Sequence, residues 1–246
     1  MDMWTDRLKS FLTPGGYEGK KPTKRVAFIL AGCGARDGTE ITEAVAALIA
    51  LSQEEFSVSL FAPNRDSHHL VNHFSGQDVV GSRRNMLEEA NRIGRGTVRP
   101  LEDLRWSDYD ALVFSGGFGV AKNLCDYAFH GPDASVFPDV KEIILSFLNN
   151  KKPVAAMCIA PVLLGMVARD LGLKGVRLTL GDGSLRDVAN LAAWGCEQVN
   201  CSSGEVCVDE VHKFVTVPAY MIGGASPADI FACGKAMVAG LQRLLA

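Results

Sequence analysis

Cys158 has the clearest chemical prospect in this chain. It lies in the run Lys152-Pro153-Val154-Ala155-Ala156-Met157-Cys158-Ile159-Ala160-Pro161-Val162-Leu163-Leu164. Residues 154–157 read as a short buried strand, and a helix starts near Ala160, with Pro161 suited to its first turn. A cysteine at that join projects from the sheet edge toward free backbone N–H groups and a positive helix end. Both favour a thiolate, so a lowered thiol pKa is expected, and nucleophilic chemistry with it. Two further pieces belong to the same edge if the fold is a wound sheet. Gly116-Gly117 follows the apolar run 111–115 and lets backbone N–H groups approach a ligand, because neither residue carries a Cβ. The Gly117 and Ile159 N–H groups would then form an oxyanion hole. Glu40 opens the helix after the first strand. Plainer explanations stand beside these: a tight turn for Gly116-Gly117, and a dipole-favoured helix-start acid for Glu40.

Other reactive side chains divide less clearly. Cys33, in the loop 32–38, either lines the same pocket or is a packed thiol. Arg84 either anchors an acidic substrate group or is a solvated helix-start arginine. His68, His69 and His73 fall on a polar loop, where surface histidines are the ordinary expectation. The spacing Gly32-x-Gly34-x-x-x-Gly38 only approaches a dinucleotide fingerprint, and the second strand ends in Ala62-Pro63-Asn64 without the acid that would hold a ribose. Ser115-Gly116-Gly117 lacks the Gly-x-Ser-x-Gly pattern of a serine hydrolase. No cysteine–histidine spacing suggests a metal site, and no cofactor is expected.

The elements that must position these residues alternate strand and helix. Apolar runs at 25–31, 58–62, 111–115 and 154–157 read as buried strands, with later strands at 176–180, 205–208 and 213–217. Helical periodicity marks 40–51, 82–93, 140–149, a helix from 160, 185–194 and 228–245. In the first, Ile41, Val45, Leu48 and Ile49 are the expected buried stripe. This alternation argues for an α/β fold with a mostly parallel sheet, whose sites form at the carboxyl ends of strands. Residues 1–24 read as an N-terminal extension and 25–246 as a single domain. In the extension Trp4, Leu8, Phe11 and Leu12 recur at helical spacing before Pro14-Gly15-Gly16. Its acids weigh against a mitochondrial presequence, so a cytoplasmic location is expected, with a mitochondrial one as the alternative.

Composition narrows the class. The chain has 246 residues, 48% of them hydrophobic and 22% charged, with net charge −3. No basic run with interleaved aromatics suggests nucleic acid, and no apolar run is long enough to span a membrane. Seven cysteines without a small-domain framework suggest a reducing compartment.

Several of these stretches carry a resemblance. They are Gly32-Cys33-Gly34 with Asp37-Gly38-Thr39-Glu40-Ile41, Phe61-Ala62-Pro63, Asn72-His73, Arg84-Asn85, Gly116-Gly117-Phe118-Gly119 with Ala121-Lys122-Asn123, Met157-Cys158-Ile159-Ala160-Pro161, and Val217-Pro218-Ala219-Tyr220-Met221. In this order the chain resembles the ElbB family of the PfpI-like, class I glutamine-amidotransferase-like superfamily. The resemblance implies a flavodoxin-like three-layer sandwich, a homodimer, and a reactive Cys158 with Glu40 as its carboxylic acid partner. It adds Gly116, Asn123 and His73 to the pocket candidates. It also implies cofactor-independent glyoxalase activity on a small-molecule aldehyde substrate. Glutaminase members use a Cys-His-Glu triad, and PfpI-like members place a histidine at the end of the strand after the cysteine. Here that position is Gly181, so glutaminase and protease activities are not expected. Three functions follow: a glyoxalase-type lyase, a redox-sensing or protective protein, and a non-catalytic binding module. In the first, a protonated Glu40 shuttles the proton.

Overall fold

The computed structural model describes residues 24–183 and 187–246. Most of the expected extension, and Leu185 at the start of the expected helix 185–194, lie outside the described residues. In chain order the main elements are β1 (Arg25–Ile29), α1 (Ile41–Gln53), β2 (Ser57–Ala62), α2 (Met86–Gly94), β3 (Arg99–Pro100), β4 (Ala111–Phe114), α3 (Pro138–Asn149), β5 (Val154–Met157), α4 (Pro161–Leu171), β6 (Val176–Leu178), α5 (Asp187–Ala193), β7 (Cys196–Gln198), β8 (Cys207–Asp209), β9 (Phe214–Val217) and α6 (Pro227–Leu245).

Seven strands form one sheet in the order β3-β2-β1-β4-β5-β9-β8, and β6 and β7 pair separately. Every neighbour in the large sheet is parallel except β8 against β9. Its central strands are buried along their whole length, as unbroken apolar runs require when helices cover both faces. The architecture is therefore α/β with a mostly parallel seven-stranded sheet flanked by helices. Register fixes the functional edge. Ile29 pairs with Phe114, Phe114 with Ala156, and Met157 with Val217. The segments after β1, β4, β5 and β9 therefore leave the sheet at the same edge. The short strands β3 and β7 carry too few apolar residues to be read from the sequence.

The first helix departs from expectation in its orientation. Its buried face is Glu43, Ala44, Ala46, Ala47, Ala50 and Leu51, while Ile41, Val45 and Ile49 are 47%, 42% and 46% exposed. The reason is close helix–helix packing: a Cβ on Gly234 of α6 would come within 3.0 Å of the Ala46 carbonyl oxygen. Only the small-residue face of α1 fits that approach. Helix α2 starts later than expected, because Asn85 caps it by accepting from the Leu87 and Glu88 N–H groups. No helix among the described residues is long and apolar enough to cross a membrane.

Candidate active site

Cys158 follows the last residue of β5 in a left-handed conformation, with φ of 60°. Its own N–H still donates to Val217 O at 3.1 Å, so the strained residue is held by the neighbouring strand. Helix α4 begins at Pro161, behind the sulfur. Backbone hydrogen bonds from Gly117 and Ile159 reach Cys158, so both amides of the expected oxyanion hole surround the thiol. The two glycines are demanded by close packing. A Cβ on Gly116 would lie 2.1 Å from Glu43 Oε2 and 2.4 Å from Cys158 Cβ. A Cβ on Gly117, where φ is 101°, would lie 2.3 Å from Glu40 N.

Glu43, and not Glu40, is the carboxylic partner of the thiol. Glu40 caps α1: its Oε2 accepts from the Glu43 N–H at 2.7 Å, and its own N–H donates to Gly116 O at 3.0 Å. That cap turns Glu43, one helical turn on, inward beneath Gly116. Glu43 is completely buried and hydrogen-bonded with the Cys158 side chain. Its Oε1 accepts from the Tyr220 N–H at 3.2 Å, and its Oε2 lies against the Gly116 backbone and the thiol. Burial pushes the Glu43 carboxyl up to about 8, so it is protonated at neutral pH. The expected lowering of the Cys158 pKa is not found. Burial and the Glu43 charge push the thiol up, against the pull of the Gly117 and Ile159 amides. Burial and an ionised Glu43 therefore both oppose a thiolate here.

Cys158 and Ile159 open onto a cavity of about 600 Å³, together with Ala35, Glu40, Gly117, Phe118, Asp187, Tyr220, Met221 and Gly223. Glu40 thus reaches the cavity while Glu43 lies under its floor. Asp187 is fixed at the wall by the Tyr127 hydroxyl, which donates to its Oδ1 at 2.5 Å.

The remaining pocket candidates lie elsewhere. Cys33 and Arg84 line a separate small pocket with Asp37 and Glu89, where burial and the Glu89 charge push the Cys33 thiol up. His73 pins a loop: its Nε2 accepts from the Arg36 N–H at 3.2 Å, and its Nδ1 lies 3.0 Å from Val71 O. Asn123 is buried and joins two loops, donating to Asp37 O at 3.0 Å and accepting from the His68 N–H at 2.8 Å. All four are drawn off the Cys158 cavity by such local partners.

Residues 24–217 match the model of the DJ-1/PfpI family. The chain belongs to the DJ-1/PfpI family. It is 40% identical over 209 residues to the human glutamine amidotransferase-like class 1 domain-containing protein 3, mitochondrial, covering 82% of this chain and 76% of that protein. The rat ES1 protein homolog, mitochondrial, is 39% identical over 209 residues, covering 82% of this chain and 77% of the relative. Among solved structures, an isoprenoid biosynthesis protein with amidotransferase-like domain from Ehrlichia chaffeensis superposes with a TM-score of 0.83 at 32% identity, covering 91% of this chain and all of that one.

Within this DJ-1/PfpI framework the thiol has a carboxyl and two amides beside it, but no imidazole: among the described residues, no histidine lines the cavity. Gly181, at the expected histidine position, has φ of 104° and packs against Ile222 and the Met221 backbone. The residue that sequence reasoning missed is Glu43. Its signal was present as a lone acid on the alanine face of α1, at helical spacing from Ala46, Ala47 and Ala50.

Proposed function

We propose that this protein converts small α-oxoaldehydes such as methylglyoxal and glyoxal to hydroxy acids through a Cys158 nucleophile, without a cofactor. The observation that carries this reading is the buried Cys158–Glu43 pair at the floor of a cavity, with the Gly117 and Ile159 amides at the sulfur. The Cys158 sulfur adds to the aldehyde carbon, and the thiol proton, relayed through the protonated Glu43 carboxyl as that acid gives up its own, passes to the aldehyde oxygen. The charge developing on that oxygen is stabilised by the two amides as the hemithioacetal forms. The Glu40 carboxylate, at the cavity wall, removes the proton from that carbon and returns it to the adjacent carbonyl carbon. The thioester so formed is hydrolysed by water, which releases the hydroxy acid and regenerates the thiol. The net change is addition of one water, with no external oxidant. Among the described residues no histidine lines the cavity, so nothing there supports glutaminase or protease chemistry.

Within the family, the Gly-Gly-Phe-Gly and Cys-Ile-Ala-Pro runs and the likeness to the Ehrlichia protein support an ElbB-type assignment. Between the cytoplasmic and mitochondrial expectations, the names of the human and rat relatives favour the mitochondrial one. A second reading rests on the same pair. A peroxide could oxidise Cys158 to a sulfinate that accepts a hydrogen bond from protonated Glu43, a protective or sensing role.

The test is turnover of methylglyoxal and glyoxal, measured as hydroxy acid formed. Wild type should turn over, and Cys158→Ala should fall to background. Glu43→Gln and Glu40→Gln should each lose about 100-fold, the scale of a lost general acid–base. If wild type forms no hydroxy acid, the enzyme reading fails. Sulfinate at Cys158 after mild peroxide, seen by mass spectrometry, would then favour the second.

A further inference from the structure

Phe118 stands between two cavities. One is the Cys158 cavity. The other, of about 340 Å³, shares Ala35 and Phe118 with it and is lined also by Arg36, Asp78 and Lys122. Lys122 belongs to the Gly-Gly-Phe-Gly-x-Ala-Lys-Asn run, yet the chemistry at Cys158 does not use it.

Its surroundings are unusual for a lysine. Lys122 is only 8% exposed. Its Nζ donates to the Arg36 carbonyl oxygen at 2.9 Å and lies 2.9 Å from His69 Nε2. The Phe118 ring covers it, with Nζ 5.0 Å from the ring centroid. The nearby acids are turned to histidines: Asp78 lies 3.6 Å from His69, and Asp37 lies 3.8 Å from His73. Among the described residues, none forms an ion pair with Lys122. His69 is held neutral, by burial first and then by the Lys122 charge. The Arg36 oxygen accepts from Nζ, and His69 Nε2 accepts as well in the tautomer that sets the Nδ1–H toward His68 Nδ1, 3.0 Å away; a neutral amine has two N–H groups. With those engaged, the nitrogen lone pair is left for the cavity. Burial lowers the Lys122 pKa and outweighs the Asp78 and Asp37 charges, which push it up; the net direction makes the neutral amine more available.

We propose that Lys122 is a second carbonyl-reactive group, which condenses with small neutral aldehydes in the cavity behind Phe118. The ammonium first loses a proton to solvent. The Nζ lone pair then adds to the aldehyde carbon, and the oxygen takes up a proton to give a hemiaminal. Loss of one water leaves the imine. No oxidant or reductant is needed. The site is separate from Cys158 and does not rest on the glyoxalase reading.

Acetaldehyde with cyanoborohydride, at neutral pH, traps such imines as stable N-ethyl adducts that peptide mass spectrometry assigns. In the wild-type protein Lys122 should be modified several-fold faster than the exposed Lys151, Lys174 and Lys235, since its buried amine is the one whose neutral, lone-pair-bearing form is favoured. Cys158→Ala should leave that preference intact, and Lys122→Arg should abolish the fast adduct. Modification of Lys122 no faster than of the exposed lysines overturns the proposal. So does a fast adduct that disappears in Cys158→Ala, because the amine would then act only through the thiol site.

Discussion

Glu40 and Glu43 sit three residues apart on one helix and have different surroundings. Glu40 reaches the cavity and caps the helix, whereas Glu43 has lost all contact with water and shares its environment with a thiol. Two groups this close titrate in steps that belong to the pair. Replacing Glu43 by glutamine removes the like charge that opposes a thiolate while keeping an N–H donor. Thiolate absorbance should then appear at a lower pH than in wild type, because the like charge that pushes the thiol up is gone. Glu40→Gln should leave the thiol titration where it is in wild type. If the two variants exchange these behaviours, the partner of Cys158 has been misassigned. Much of this was legible in the residues themselves. Cys158, Gly116, Gly117 and Ile159 followed from strand-to-helix punctuation, which is local. The choice between Glu40 and Glu43 was not local. It depends on which face of the helix turns inward, and a second helix decides that.

At the scale of elements, the site depends on a close crossing of the segment after β4 beneath the thiol. Gly116→Ala should place a methyl group against Glu43 Oε2 and Cys158 Cβ, both inside 2.5 Å. Overpacking of this kind costs about 1–3 kcal/mol, and here both groups in the way, Glu43 and Cys158, are themselves buried. Gly223 is the control, since a Cβ there meets nothing within 4 Å and its φ is not positive. Denaturant unfolding should show Gly116→Ala destabilised by that amount, together with slowed alkylation of Cys158, and Gly223→Ala within about 0.5 kcal/mol of wild type. Equal stability of the two would mean that the glycine pair is an ordinary turn. The apolar strands were legible because parallel strands buried on both faces need unbroken hydrophobic runs. Helix α1 misled because it carries two candidate stripes. The larger residues Ile41, Val45 and Ile49 suggested the core, but Gly234 lets α6 approach only over alanines. Side-chain size is thus a poor guide where backbones pack closely.

For the whole molecule, a buried neutral acid makes stability depend on pH in a direction that can be worked out. Glu43 has a carboxyl pushed from 4.5 up to about 8, by burial first, with hydrogen bonds from Cys158 and Tyr220 opposing and the Glu40 charge adding. Below pH 4.5 folded and unfolded states both hold the proton, and this group's contribution is fully present. As pH rises from there to about 8 the unfolded chain releases the proton while the folded one keeps it, so stability falls. The loss is at most about 5 kcal/mol and levels off above the folded value. Asp209 and Asp170 work in the opposite sense. Burial pushes each up, but the His212 and Arg177 amides on Asp209, and Lys141 and Arg169 beside Asp170, hold both below the usual 3.8. Their contributions are present above that value and vanish as pH drops. Wild type should therefore be most stable in mildly acidic solution and weaken toward pH 8. Glu43→Gln has no proton to lose. Its melting temperature relative to wild type should rise between pH 5 and pH 8, by at most about 15 degrees given roughly 2–4 °C per kcal/mol for a chain of this size. Parallel melting curves across that range would mean that Glu43 is ionised in the folded protein. The proton assigned to it at the thiol would then be absent as well.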